Sequence, residues 1–598
     1  MARQANNVNK IFIKFWEGIN SKVASAISKP SELSACENCR ADRIGELIKR
    51  QGTARLGNSI TATANKAIFY FQNTDETISF YRVSTVGSTT AIYYLNASSE
   101  WTALTSLGTG LTATNDFSTV TAEQSLFLVN GANNNLYIKE DGTTVVDSTT
   151  NTGHLYGSPK ARKINYYKDR LYLGDYTADG VDYKNGLMMS SKPLGIIALV
   201  DGDHETPGAD DWINVTDTKY IHSTDTIAFY RGGKKIADDV TIKDKKESSI
   251  QINAITFDDG DSLESSDEIW VNGTYTGDRV FRWADNPESG TNVKQYDTFK
   301  LTGNQNDRIK MLTNIGDIML IGNNNNIAVW NDYNLQNYDI GIGCVSDNGY
   351  VKALGVLFFI HYTGLYATTG SSAPQLLSAK VERYFAGTSK EHLEKACLGR
   401  KGQSIFCGLE EVKLYNPDGS EEKTLNNVVL EYDLNTECWY VHTGIKATQF
   451  CTFPQSGDAD ALEFASTETG YHIYTFLTGQ LDKGIVEIPF RADTQEITLS
   501  SNFENLNYLL EIAVEVNRGN NIECFVSLDG DPFYAIEGVA RKGVNVLKVT
   551  AKDGNSSEPP RCKKVKLSFR DTSKKLCKIG KVSIKYTQSL EVEIPHSE

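Results

Sequence analysis

Short apolar and aromatic runs alternate along most of this chain with tight polar turns. Gly316-Asp317-Ile318-Met319-Leu320-Ile321-Gly322 turns at Asn323 to Asn326 and returns as Ile327-Ala328-Val329-Trp330. Residues 355–361 turn at Tyr362-Thr363-Gly364 and return over 365–368; residues 126–130 return over 136–138, and 461–465 over 471–476. Runs bounded by Gly, Asn, Asp and Thr predict β-hairpins, because Gly, Asn and Asp adopt positive φ at low cost. Residues 67–107 hold four such runs in succession, enough for one propeller blade or one sheet of a sandwich. Steps from Leu126 to Leu171, from Asp317 to Val356 and from Val356 to Ser404 span 45, 39 and 48 residues. That spacing suits a four-stranded repeat, as in propellers. Helical periodicity is confined to residues 30–38 and 389–397. The expected fold class is all-β, with a β-propeller core.

The rhythm breaks between 200 and 300, where Asp201-Gly202-Asp203, Asp210-Asp211 and Asp258-Asp259-Gly260-Asp261 punctuate an acidic, turn-rich stretch. A small β domain inserted in a loop is expected there, since loop-closure entropy grows slowly with length. After 485 the strands alternate apolar and polar, as a sheet solvated on one face does, predicting a C-terminal β-sandwich or sheet domain. The expected organisation is therefore an irregular N-terminal platform segment (1–60), first blades (61–199), the insert (200–300), remaining blades (301–484) and the C-terminal domain (485–598).

Composition narrows the function. A chain of 598 residues needs several cores or a repeat array. A formal charge of −15 argues against a broad phosphate-gripping surface. The cluster Arg561, Lys563, Lys564, Lys566, Lys574, Lys575 and Lys578 reads as solvated side chains on exposed strands. No secretory signal is visible, and the longest apolar run, 354–360, is far below a bilayer span, so no membrane insertion is expected. Ten scattered cysteines suit folding in a reducing cytoplasm. Cys36-Glu37-Asn38-Cys39 lacks a second pair or a nearby His, so two core or interface thiols are expected there and not a zinc site.

The amino-terminal segment carries a resemblance. Gly18-Ile19-Asn20, Ser28-Lys29-Pro30-Ser31-Glu32-Leu33, Cys36-Glu37-Asn38-Cys39 and Gly45-Glu46-Leu47-Ile48-Lys49-Arg50-Gln51-Gly52 follow in that order. They resemble the signature of the nozzle, or tail tubular protein B, family of short-tailed bacteriophages. Residues 162–172 with 186–191, 307–322, and 343–346 with 364–366 are similar to successive blades of that family. The likeness runs discontinuously over about 11–480; the second Gly of the first turn is Ile19 here, and the insert and C-terminal domain carry no recognisable part of it. The motif positions are Gly18, Asn20, Pro30, Leu33, Asn38, Gly45, Leu47, Lys49, Arg50 and Gly52. Gly45 and Gly52 suit tight turns, Pro30 the start of a short helix, and Asn38 the bonding of a buried turn. Lys49 and Arg50 are expected to reach an acidic neighbour. The resemblance implies a structural virion protein without cofactor or catalytic residues. It implies self-association into a ring, sixfold in the family, and contact with portal-adaptor and other tail proteins. Genomic DNA would pass transiently through the lumen, the protein residing in the tail after assembly in the host cytoplasm. An acidic lumen would let DNA slide.

Two other classes stay open. A carbohydrate-active propeller enzyme needs paired carboxylates across a pocket. The sequence has no Gly-x-Ser-x-Gly elbow, phosphate loop or His-Glu-x-x-His, and Ser527-Leu528-Asp529-Gly530 is a lone partial repeat box without its Trp. A tail-tip adhesion protein could touch the host surface through the insert or the C-terminal sheet. Asp258, Asp259, Asp261 and Glu264 lack the full calcium-loop pattern and read as a solvated acidic turn.

Overall fold

Two-residue turns set the strand rhythm. Glu123 and Gln124 (φ 42° and 56°), Lys168 and Asp169 (46° and 60°), and Leu354 and Gly355 (51° and 75°) are left-handed at both positions. This type I′ geometry matches the twist of the strands it joins. The turns connect Ser118–Ala122 to Ser125–Val129, Lys160–Tyr167 to Arg170–Ala178, and Tyr350–Ala353 to Val356–His361. In each case two further strands complete an antiparallel four-stranded sheet. These facts come from a computed structural model that describes residues 8–592 except 16, 23–28, 43, 106, 151–152, 179, 205–206, 259–261, 272–278, 285–297, 302–305, 339–340, 417–419, 454–459, 500–504, 520 and 551–557. The fold is all-β and propeller-like. The α-helices among the described residues, Glu382–Ala386 and Lys390–Glu394, have five residues each.

The chain divides into two compact units. Residues 60–344 hold a five-stranded sheet over 62–111 and a four-stranded sheet over 118–147. A third joins 160–189 to Thr298–Lys300, and a fourth covers 311–338. Apolar cores form between consecutive sheets. Phe69, Val83 and Ile92 meet Leu126, Leu128 and Ile138; Phe127 and Val129 meet Ile164, Leu171 and Leu173; Tyr172 and Leu187 meet Leu312, Met319 and Ile321. Adjacent residues such as Phe127 and Leu128 thus serve two cores, because a sheet with both faces covered is apolar throughout.

The insert spans 196–271, starting before and ending short of the expected 200–300. A six-stranded sheet runs from Ile196–Leu199 to Glu268–Val271, with its own core of Ile213, Ile227, Phe229, Ile250, Ile252 and Ile269. Thr298–Lys300 instead pairs with Val181–Met189 in a blade. The base of the insert is tied down by Arg282, whose Nη2 meets Asp225 with both side chains at 0% exposure. Its Nε donates to Tyr220 O at 3.1 Å. Asp225 also accepts the His222 N–H at 2.7 Å, and His222 Nε2 lies 2.9 Å from Trp283 O. Burial pushes the Asp225 carboxyl up against the opposing pull of Arg282, and burial together with Arg282 and Lys245 drives His222 well down.

The other unit, 1–59 with 345–598, holds sheets over 350–376 and 397–442, and a third over 447–476 whose outer strand is Thr53–Leu56. Phe406 and Val429 pack on Phe450, Phe464 and Phe476 between two of them. C-terminal strands build two further sheets. One contains Asn505–Arg518 and Lys578–Val592, the other Phe490–Thr494, Ile522–Leu528 and Lys564–Asp571. Ile512, Val514, Val582 and Ile584 of the first share a core with Ala492, Val526, Leu567 and Phe569 of the second.

The N-terminal segment joins the C-terminal sheets of its own unit. Val8–Ile13 and Leu47–Lys49 pair with Lys578–Val592, and Leu33–Glu37 pairs with Phe490–Thr494. Residues 30–38 do not form the predicted helix: Pro30 lies in a turn and Leu33–Glu37 is a strand. Ladder bonds to a partner more than 450 residues away outweigh the weak local helical preference.

Removing Arg282 leaves Asp225 buried without its ion-pair partner. Arg282→Ala is expected to lower stability by about 3–5 kcal/mol, read as a lower denaturation midpoint for the unit containing the insert. An unchanged midpoint would show that the insert is held by something else.

Candidate functional site

Asn38 and Arg50 stand at the centre of the amino-terminal motif, and both are buried. Asn38 has φ 58°, a left-handed conformation that Asn adopts more readily than most residues. Its backbone N–H donates to Val441 O at 2.7 Å and its carbonyl accepts the Arg50 N–H at 2.9 Å. Its Nδ2 donates to Thr443 Oγ1 (2.9 Å) and Pro489 O (2.7 Å). Its Oδ1 accepts from Arg50 Nε (2.7 Å) and the Thr443 N–H (2.9 Å). Arg50 Nη1 donates to Asp482 Oδ1 (2.7 Å) and Gln51 O (2.9 Å), and Nη2 to Asp482 Oδ2 (2.6 Å) and Thr443 O (3.1 Å). All five guanidinium donors are satisfied, and the fork meets the carboxylate at both oxygens. Such completeness makes a buried charge tolerable.

Lys49, 1% exposed, points to a different acid. Its Nζ donates to Asp571 Oδ2 at 3.0 Å and Ser573 O at 2.7 Å. Lys49 and Arg50 are neighbours in sequence, and strand alternation sends them to separate partners. Gly52 works through close approach: a Cβ there would lie 1.9 Å from Leu481 O. Gly18 combines φ +64° with a position where a Cβ would sit 2.7 Å from Trp439 O, the carbonyl that accepts the Ile19 N–H at 2.9 Å. Asn20 Nδ2 donates to Glu32 Oε1 at 3.0 Å, and Gln495 Nε2 donates to the carbonyls of Asn20 (2.8 Å) and Leu33 (3.2 Å). Leu33 and Leu47 enter the core, and Gly45, φ 81°, sits in the turn closed by its N–H to Asp42 O. Pro30 is exposed and takes no part. The motif laces the N-terminal strands to Trp439–Thr443, Leu481–Asp482 and the C-terminal sheets.

A second buried network lies within the same unit. Glu431, on the strand Glu421–Asp433, accepts from Arg40 Nη1 (2.9 Å), Ser404 Oγ (2.8 Å) and His442 Nε2 (2.8 Å). Burial works to raise its carboxyl, but His442, Arg40 and Ser404 together hold it below the ordinary range. Burial holds His442 below its usual value, with Glu431 opposing only in part. The pair is a carboxylate with a neutral imidazole donor. Nearby, Trp439 is buried, its ring 4.9 Å from that of Tyr432. Cys36 and Cys39 are buried with their thiols facing each other, and burial raises Cys39 well above the usual thiol value.

Other sequence candidates lie apart. Asp259 and Asp261 fall outside the described residues. Asp258 is exposed near Lys235, and Glu264 pairs with Arg231 at 2.9 Å. Asp529 accepts the N–H groups of Lys563 and Lys564, pinning a turn. Of the basic cluster, Lys564 pairs with Glu496, Lys578 with Asp42, and Arg561 stacks over Tyr508. No cluster of three or more metal-binding side chains occurs among the described residues, and no described helix is long and apolar enough to cross a membrane. Sequence reading does not single out Asp482, Thr443 or Asp571. Each is a common residue in a strand-end or loop setting, and only the fold brings it to the motif.

No family model and no curated protein matches this chain. Among solved structures it is similar to Sqt1 of Saccharomyces cerevisiae, with 8% identity, 72% of this chain and 99% of that chain covered, and a TM-score of 0.31. BamB of Moraxella catarrhalis gives 8% identity, 72% and 100% coverage and a TM-score of 0.26. An exo-β-1,3-galactanase of Phanerochaete chrysosporium gives 8%, 89% and 100%, and 0.20.

Arg50→Ala and Asp482→Ala are each expected to cost about 3–5 kcal/mol, whereas Arg50→Lys recovers only part, because one ammonium cannot reproduce the fork. Urea denaturation of the three variants and the Arg50→Ala/Asp482→Ala double mutant measures the coupling; additive losses would refute it. A pH effect follows from the second network. His442 is depressed in the folded protein, so below about 6.5 the unfolded chain takes up a proton that the native state refuses. Glu431 is depressed as well, so its contribution is present above about 4.5 and is lost as pH falls through its folded value. Both act in one direction: the urea midpoint should fall from pH 7 to pH 4, and His442→Gln should flatten the upper part of that slope.

Proposed function

We propose that this chain is a structural subunit of a bacteriophage tail. In this reading it assembles into a ring that extends the DNA-exit channel below the portal and adaptor, and works by shape and charge. The observation that carries the reading is the fate of the motif shared with the nozzle family. Asn38, Lys49 and Arg50 satisfy their hydrogen bonds inside the protein, on Thr443, Asp571 and Asp482. A motif engaged in this way preserves a scaffold. It leaves no side chain presented to a substrate, as a catalytic signature would.

Charge placement supports a channel role. Residues 196–271 hold 17 acidic and 7 basic residues, a net of −10 out of the whole chain's −15. A chain with this net charge does not grip phosphates, which keeps non-specific DNA affinity, dominated by backbone contacts, low. The same insert, with a core of its own, favours a second reading in which it touches the host surface as an adhesion module.

Electron microscopy of the particle that carries this protein tests the proposal. Density for repeated β-sheets is expected on the tail axis, and particles lacking the protein are expected to fail in DNA retention or delivery. Density confined to the tail periphery would favour adhesion, and absence from the particle would refute both. Turnover of sialosides or bacterial polysaccharide by the purified protein would replace the structural reading with an enzymatic one.

A further inference from the structure

The outward face of one C-terminal sheet departs from the polar pattern expected of a solvated face. Phe12 pairs with Ser583, Ser583 with Ala513, and Ala513 with Val546, so these four residues form one row across four strands. Phe12 is 67% and Val546 56% exposed, with Val544 beside it at 72%. Their chain neighbours Ile13, Val582, Ile512 and Leu547 enter the core on the opposite face. Ser583 and Ala513 are small, so the row is a shallow trough with apolar walls. The adjacent row is basic: Lys10 pairs with Lys585, Lys585 with Glu511, and Glu511 with Lys548. Glu511 is engaged by Lys585 at 2.9 Å, while Lys10 and Lys548 are exposed.

We propose that this face docks a second copy of the chain through that copy's acidic insert. An apolar trough with a lysine rim asks for a partner that is acidic and brings contact area. The chain carries such a surface itself, since residues 196–271 hold a net charge of −10 with Asp201, Asp203, Asp211, Asp217 and Glu247 exposed. Two different patches meeting make a head-to-tail contact, the kind that closes into a ring when the rotation allows. This deepens the ring reading and depends on it only for closure.

The test uses full-length protein in sedimentation velocity at low and high salt. Wild type is expected to associate at low salt and dissociate as screening rises. Val546→Glu with Lys548→Glu, both at exposed positions, should weaken association by about tenfold or more. So should Asp201→Asn with Asp217→Asn, with urea midpoints unchanged in both double variants. Each keeps one intact patch, so mixing the two should restore a one-to-one complex that grows no further. A mixture that stays monomeric, or a wild type that stays monomeric at low salt, overturns the contact. If wild type associates but the face variant matches it, the contact lies elsewhere and the ring reading survives, to be judged by particle imaging.

Discussion

A buried guanidinium with no water to fall back on must find five acceptors, and Arg50 finds them on its own neighbour and on three distant stretches of chain. Asp482 takes two donors, and Asn38, Gln51 and Thr443 supply the rest. Because an unpaired charge in the interior costs several kcal/mol, these stretches are mutually constrained. Asn38 extends the constraint to Pro489, and Lys49 repeats it with Asp571. The result is one ionic lattice that fixes the N-terminal strands, the end of the 397–442 sheet and the C-terminal sheets of their unit.

Each unit builds its sheets from a repeated solution. A two-residue left-handed turn returns a strand, four strands make a sheet, and apolar residues on both faces bind it to its neighbours. The insert breaks the repeat and is attached by the Arg282–Asp225 pair, using the same device of a buried ion pair with backbone support. Ion pairs hold the junctions of this protein, and apolar packing fills its sheets.

The repeating part was legible because its determinants are local. Turn residues and short apolar runs are visible in any window of ten residues, so hairpins such as those at 318–330 and 356–368 follow from the sequence. The buried Trp439 beside Tyr432 is local as well. What escaped reading was non-local. Residues 30–38 look weakly helical alone, yet Leu33–Glu37 is a strand because Phe490–Thr494 offers it a ladder. Thr53–Leu56 belongs to the sheet over 447–476, which nothing near it in sequence announces. Arg50 stood out through resemblance alone, and its partner Asp482 carries no mark of its own.

Strand pairing between distant segments also orders events in time. Val8–Ile13 is bonded along its length to a strand whose matching residue for Ile13 is Val582, 569 positions later. Ribosomes add roughly 5–20 residues per second, so the earliest strand waits about half a minute to two minutes for its mate. Throughout that interval an apolar edge containing Ile11 and Ile13 is available to any other unfinished chain. The sheet that holds this strand is therefore among the last parts of its unit to close.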